Sequence, residues 1–171
     1  VLVNPLTAIL GLTVIVGYVF LYTPLKTRTS ASTAIGAIPG AMPPLMGWTS
    51  TANEISLPAL VLFAMLFLWQ FPHFMAIAWL YREQYKKAGI LMLPVVEPSG
   101  RMTAQQIVIF TIMLVPISLA PYFVGLAGIV YLVGAILLGL WFLFESIKTA
   151  KQKTNKSAKR LLMVSVLYLP L

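Results

Sequence analysis

The twelve Lys and Arg residues of this 171-residue chain fall into three short segments, separated by long apolar stretches that carry almost no charge. Lys26 and Arg28 form the first segment; Arg82, Lys86, Lys87 and Arg101 the second; Lys148, Lys151, Lys153, Lys156, Lys159 and Arg160 the third. If every apolar stretch crosses a bilayer, all three basic segments land on one side. The positive-inside rule asks this of an integral membrane protein. A soluble fold must spread charge over a water-facing surface, and 9% charged residues against 60% hydrophobic ones cannot cover one.

That layout also sorts the partners. The formal charge of +8 would suit nucleic acid, but the basic residues flank apolar spans and form no stripe with interleaved aromatics, so nucleic acid is set aside. The absence of cysteine excludes disulfides, thiolate metal sites and a cysteine nucleophile. The chain begins at Val1 without a methionine and has no charged region of a signal peptide. It stops eleven residues into the apolar run that starts at Leu161, short of the about 20 residues a spanning helix needs. The expectation is one transmembrane domain over residues 1–171, an internal piece of a longer protein with its last helix cut.

Pro5 to Thr23 is long enough for one helix, and Pro24 to Ser32 is a basic loop. Thr33 to Trp48 holds Pro39, Pro43 and Pro44 with three glycines, so a regular helix through it would lose hydrogen bonds and clash. Broken backbone at membrane depth is tolerated only where protein or a cavity covers it, so this segment should be an interrupted span lining something. Thr49 to Leu57 reads as an outer loop and Pro58 to Tyr81 as the strongest span. Arg82 to Gln106 is the longest polar stretch, with Thr103 as the cap of the next helix. Ile107 to Phe123 and Ile129 to Ile147 follow as spans, joined at Gly125 to Gly128, and Lys148 to Arg160 reads as a basic connector that anchors topology. The fold expected is all-α, a polytopic transmembrane helical bundle of about six segments.

Polar groups at bilayer depth are expensive and point to function. Gln70 and His73 lie inside the apolar helix, and His73 is the sole histidine. Two readings stand for it: a polar side chain satisfied across helices, or a contact to substrate, proton or metal porphyrin. In a regular helix, Gln84 lies three turns beyond His73 on one face, so Gln70, His73 and Gln84 would form a polar stripe along a cavity wall opening at the basic loop. At that face Lys26 and Arg28 could join Glu83, Tyr85, Lys86 and Lys87 to bind a diphosphate. The cations would neutralise its oxygens, and the carboxylate would hold Mg²⁺ shared with the phosphates. A transporter of anionic substrates would look similar.

Four blocks of sequence add to this. Tyr22-Thr-Pro-Leu-Lys-Thr-Arg-Thr and Ile35-Gly-Ala-Ile-Pro-Gly-Ala-Met-Pro-Pro-Leu-Met-Gly-Trp48 resemble the heme O synthase (protoheme IX farnesyltransferase) family of UbiA-type intramembrane prenyltransferases. Trp69-Gln-Phe-Pro-His-Phe74 and Tyr85-Lys-Lys-Ala-Gly-Ile-Leu-Met-Leu-Pro-Val-Val96 resemble it too, in the family's order. The resemblance implies transfer of a farnesyl group from farnesyl diphosphate to the 2-vinyl group of heme b, with Mg²⁺ accompanying the diphosphate. It implies Lys26, Arg28, Glu83 and His73 as catalytic residues. Tyr22, Gln70, Tyr85, Lys86 and Lys87 join Lys26, Arg28 and His73 as substrate contacts. The lipid bilayer and a heme A synthase are the implied partners, and the implied location is a bacterial inner membrane with residues 24–32, 82–106 and 148–160 cytoplasmic. The family's first aspartate-rich motif lies upstream, and this chain has no aspartate, so the isolated segment should be inactive. Where the family commonly reads Glu-Asp-Tyr, this chain has Glu83-Gln84-Tyr85, so Glu83 takes the carboxylate role and Gln84 offers a carbonyl oxygen without charge. The weighed alternatives are a sister prenyltransferase with a quinone-precursor or chlorophyll-type acceptor, and a transporter or non-catalytic membrane subunit. The Trp69–Phe74 and Met92–Val96 blocks speak against the first, and the basic–acidic cluster beside a broken span against the second.

Overall fold

The computed structural model describes residues 3–171, and all regular structure among them is helical. The first crossing, Pro5–Leu25, starts as α1 (Pro5–Val16), widens through a π-helical stretch at Gly17–Tyr22, and ends in α2 (Thr23–Leu25). Its start follows from local chemistry. Asn4 accepts a hydrogen bond from the Thr7 N–H at 2.8 Å, and Pro5 stands where no backbone donor is needed. The Asn4 amide also donates to Thr49 O at 2.7 Å, tying this end of the helix to the next crossing.

That crossing is interrupted, as the prolines require. The helices α3 (Ser32–Gly40) and α4 (Met42–Ala52) meet at Ala41, whose N–H is shared between the Ala37 and Ile38 carbonyls. Pro43 falls in the first turn of α4, where a missing N–H costs little. The outer loop is shorter than expected because α4 continues to Ala52 and closes on Asn53 in the left-handed conformation (φ 54°).

α5 (Leu57–Leu80) is the central helix, with 39% of its apolar window buried against 6% for the first crossing. A core of Leu68, Met75, Ile107, Leu114, Phe142, Leu161 and Tyr168 joins α5 to α8 (Arg101–Phe123), α9 (Ile129–Gln152) and α10 (Asn155–Tyr168). Between α5 and α8 lie two short helices, α6 (Arg82–Lys87) and α7 (Leu93–Val96). Exposed apolar side chains such as Ile9, Leu137 and Phe144 cover the outer surface, as they do in a protein whose solvent is lipid.

Three sequence expectations change. Thr103 does not cap α8: the helix starts at Arg101, three residues earlier than that cap would place it, after left-handed Gly100 (φ 68°), and Thr103 is buried with its hydroxyl unpartnered. The capping is done by Glu97, whose carboxylate accepts from the Met102 N–H at 3.0 Å and from the Ser99 hydroxyl. The basic connector shrinks to Lys153 and Thr154, because α9 runs on to Gln152 and a Thr154–Ser157 capping box starts α10 at once. Among the described residues, four helices are long and apolar enough to cross a membrane. The other two of the six expected segments are the α3–α4 pair and the 14-residue α10.

The three basic segments do meet on one face. The Leu91 N–H donates to Lys26 O at 2.8 Å, joining the first to the second. Arg82 Nη1 donates to Asn155 Oδ1 at 2.9 Å and Lys153 Nζ to Ser99 O at 3.3 Å, joining the second to the third.

Candidate functional site

On that basic face the π-helical stretch, α3, α5 and the α6–α7 segment enclose a cavity of about 190 Å³. Its walls include Tyr18, Tyr22, Lys26, Phe74 and Tyr85, so three of the sequence-selected residues come together here. The rings of Tyr18 and Tyr22 meet edge to face at 5.8 Å, and Lys26 Nζ lies 6.0 Å from the centre of the Tyr22 ring. A cation among aromatic walls suits a ligand with an anionic head and an apolar body. Burial pushes the Tyr85 hydroxyl above its usual pKa, and neighbouring Tyr22 adds to the shift. Tyr85 therefore stays protonated at neutral pH and available as a donor. The volume is below the roughly 300–1,000 Å³ of a typical small-molecule site, room for a diphosphate-sized group and not for a porphyrin.

The remaining selected residues divide. Arg28, Glu83, Gln84, Lys86 and Lys87 are exposed on the same face and are not lining residues of the cavity. Gln70 is buried; its amide nitrogen donates to Ala37 O at 3.1 Å, holding α5 to α3 beside the Ala41 break. His73 turns the other way. Its Nδ1 is 2.8 Å from Ser165 Oγ on α10, and its ring stacks on Trp69 with centroids 4.5 Å apart. The expected stripe of Gln70, His73 and Gln84 is therefore corrected. α5 ends at Leu80, Tyr81 leaves helical geometry (φ −108°, ψ 23°), and the two inner residues face different helices.

Tyr18, which the sequence reading passed over, could have been found as the residue one helical turn before Tyr22 on the same face. Glu145 was passed over as well, although a carboxylate inside an apolar span is itself a signal. It is 1% exposed, and its Oε1 lies 2.9 Å from Arg160 Nε on α10.

The described residues hold no cluster of three or more His, Cys, Asp or Glu that would cage a metal. One exposed carboxylate, Glu83, suits Mg²⁺ that keeps waters and takes its other oxygens from a diphosphate. A second cavity of about 460 Å³, at the opposite end of α5, is lined by Pro44, Leu62, Met65, Pro121, Tyr131 and Leu169. It is larger, and its lining carries no cation, whereas Lys26 lines the smaller one.

The model of the UbiA prenyltransferase family matches residues 1–167. The chain is 55% identical over 169 residues to protoheme IX farnesyltransferase of Solibacter usitatus, covering 99% of this chain and 58% of that protein. It is 47% identical to the protein of the same name from Koribacter versatilis, over 98% of this chain and 56% of the relative. A solved structure of digeranylgeranylglyceryl phosphate synthase superposes with a TM-score of 0.81 at 17% identity, over 99% of this chain and 59% of that one. The chain thus spans a little over half the length of the proteins it matches.

Proposed function

The chain belongs to the UbiA prenyltransferase family, and from that premise we propose that it is the greater part of an enzyme that farnesylates heme b to make heme O. In this reaction the bond between C1 of the farnesyl group and the diphosphate breaks. The terminal carbon of the 2-vinyl group bonds to C1, water adds to the resulting cation, and a proton leaves. The observation that carries this reading is the cavity that sets Lys26 beside Tyr22 and Tyr85 on the basic face.

Lys26, with Arg28, Lys86 and Lys87 around it, offsets the negative charge that grows on the departing diphosphate. Tyr85 can donate to a diphosphate oxygen. The apolar walls keep water from the allylic cation until the new bond has formed. Mg²⁺ held in part by Glu83 would add a Lewis acid on the diphosphate oxygens. Gln70 and His73 act by tying α5 to α3 and to α10, which fixes the helices that would surround the prenyl chain and the porphyrin. The basic face is read as cytoplasmic in a bacterial inner membrane, and a heme A synthase fits as consumer of the product.

The test is product formation by a complete enzyme carrying this segment in detergent or nanodiscs. With heme b and farnesyl diphosphate it should yield a heme bearing a hydroxyethylfarnesyl group, seen by mass. Farnesylation of a quinone precursor with heme b untouched would assign a different acceptor.

A further inference from the structure

Arg82 opens α6, the short helix that carries Glu83, Tyr85, Lys86 and Lys87. It has three contacts. Nη1 donates to Trp79 O at 2.9 Å and to Asn155 Oδ1 at 2.9 Å, and the guanidinium carbon lies 5.2 Å over the Trp79 ring. Arginine suits this place because its planar fork can stack on a ring and bond in the same pose, which lysine cannot do.

Both partners are themselves held. The Trp79 ring fills the space a side chain at Gly100 would need, just before α8. Asn155 is the first residue of α10, fixed by the Thr154–Ser157 capping box, and neighbouring Lys153 reaches back to Ser99 O. Four segments thus meet at Arg82: the end of α5, α6, the start of α8 and the α9–α10 corner.

α6 needs such a support. One residue with non-helical backbone, Tyr81, sets its angle to α5. Glu83, Gln84, Lys86 and Lys87 are all exposed, so burial of its own face does little to fix its direction. We infer that Arg82, held by Trp79 and Asn155, is the positioning residue that aims α6 over the Lys26–Tyr85 cavity. Through Asn155 the start of α10 then controls binding of the diphosphate substrate without touching it. The identity of that substrate rests on the function proposed above; the placement of α6 does not.

Asn155→Ala is the discriminating change, because it removes the acceptor, alters no charge and lies outside the cavity. In a complete, cysteine-free enzyme it should raise KM for farnesyl diphosphate by about tenfold, the scale of one hydrogen bond to a charged group. kcat and the thermal midpoint should stay nearly unchanged. Arg82→Ala should do the same, the double variant should be no worse than either single one, and Asn155→Asp, which keeps an acceptor, should restore KM. Independently of any substrate, spin labels on cysteines placed at Thr27 and Ala88 should give a narrow distance distribution that broadens in Asn155→Ala. An unchanged distribution in Asn155→Ala, or a broadened one with normal KM, overturns the inference. A raised KM in Arg82→Ala alone would instead make Arg82 a direct ligand. A lowered thermal midpoint with normal KM in both variants would make the contact structural only. Failure to use farnesyl diphosphate at all would sink the proposed reaction while the distance measurement still decides the placement of α6.

Discussion

The ring of Tyr22 occupies the space a side chain at Gly36 would need: a Cβ there would come within 2.6 Å of Tyr22 Cδ2 and 3.0 Å of Cε2. Real side chains do not approach a ring that closely, so the cavity wall depends on the absence of one atom on α3.

Gly36→Ala should therefore turn the Tyr22 ring into the cavity. The expected stability cost is that of overpacking, about 1–3 kcal/mol, with a rise in KM for farnesyl diphosphate beyond what the lost stability explains. Thermal melts and steady-state kinetics of a complete enzyme would show this. An unaltered KM would mean that the ring does not bound the substrate.

Glu145 and Arg160 give a second prediction. Both carboxylate oxygens of Glu145 are buried, and among the described residues their partner is the Arg160 guanidinium, whose Nε stands 2.9 Å from Oε1 as an ion pair without hydrogen-bond alignment. Stripping a fully buried carboxylate of its partner costs about 3–5 kcal/mol. The Arg160 side chain is 59% exposed, so solvent reaches the pair and a smaller loss, about 1–2 kcal/mol, is expected for Arg160→Ala. Adding Glu145→Gln removes the stranded charge and should recover most of the lost thermal stability. A neutral Arg160→Ala would show that the pair does not brace α9 against α10.

Much of this arrangement can be read in the chain, and some of it cannot. Charge segregation puts the basic segments on one face because moving a cation through lipid is costly, and the Lys26–Leu91 and Arg82–Asn155 contacts bear that out. Pro43 and Pro44 foretell the break at Ala41 because they remove donors wherever they stand. Periodicity gives the face of a helix but not its neighbour. So Gln70 and His73, one turn apart, could not be assigned to α3 and α10 from spacing alone. The capping of α8 by Glu97 escaped notice because its acceptor lies five residues before Met102, across a turn that only left-handed Gly100 closes.

His73 supplies the third prediction, since its Nδ1 meets Ser165 Oγ and its ring is not part of the cavity wall. His73→Ala and Ser165→Ala should each lower the thermal midpoint, by an amount equivalent to about 1–3 kcal/mol. The two losses should overlap in the double variant because they break one contact. Heme O formed per folded molecule should hold near the parent level. A normal midpoint with lost heme-dependent turnover would return His73 to the chemistry.

In the proposed site Lys26 faces the diphosphate, whereas Lys156, near the start of α10, serves topology. The most direct test compares Lys26→Ala with Lys156→Ala in a complete enzyme, reading KM for farnesyl diphosphate at fixed heme b. A charge-assisted contact is worth roughly 1.5–3 kcal/mol, so Lys26→Ala should raise KM by about tenfold or more, and Lys156→Ala should leave it within about twofold. Equal effects from the two substitutions would contradict the assignment of the site.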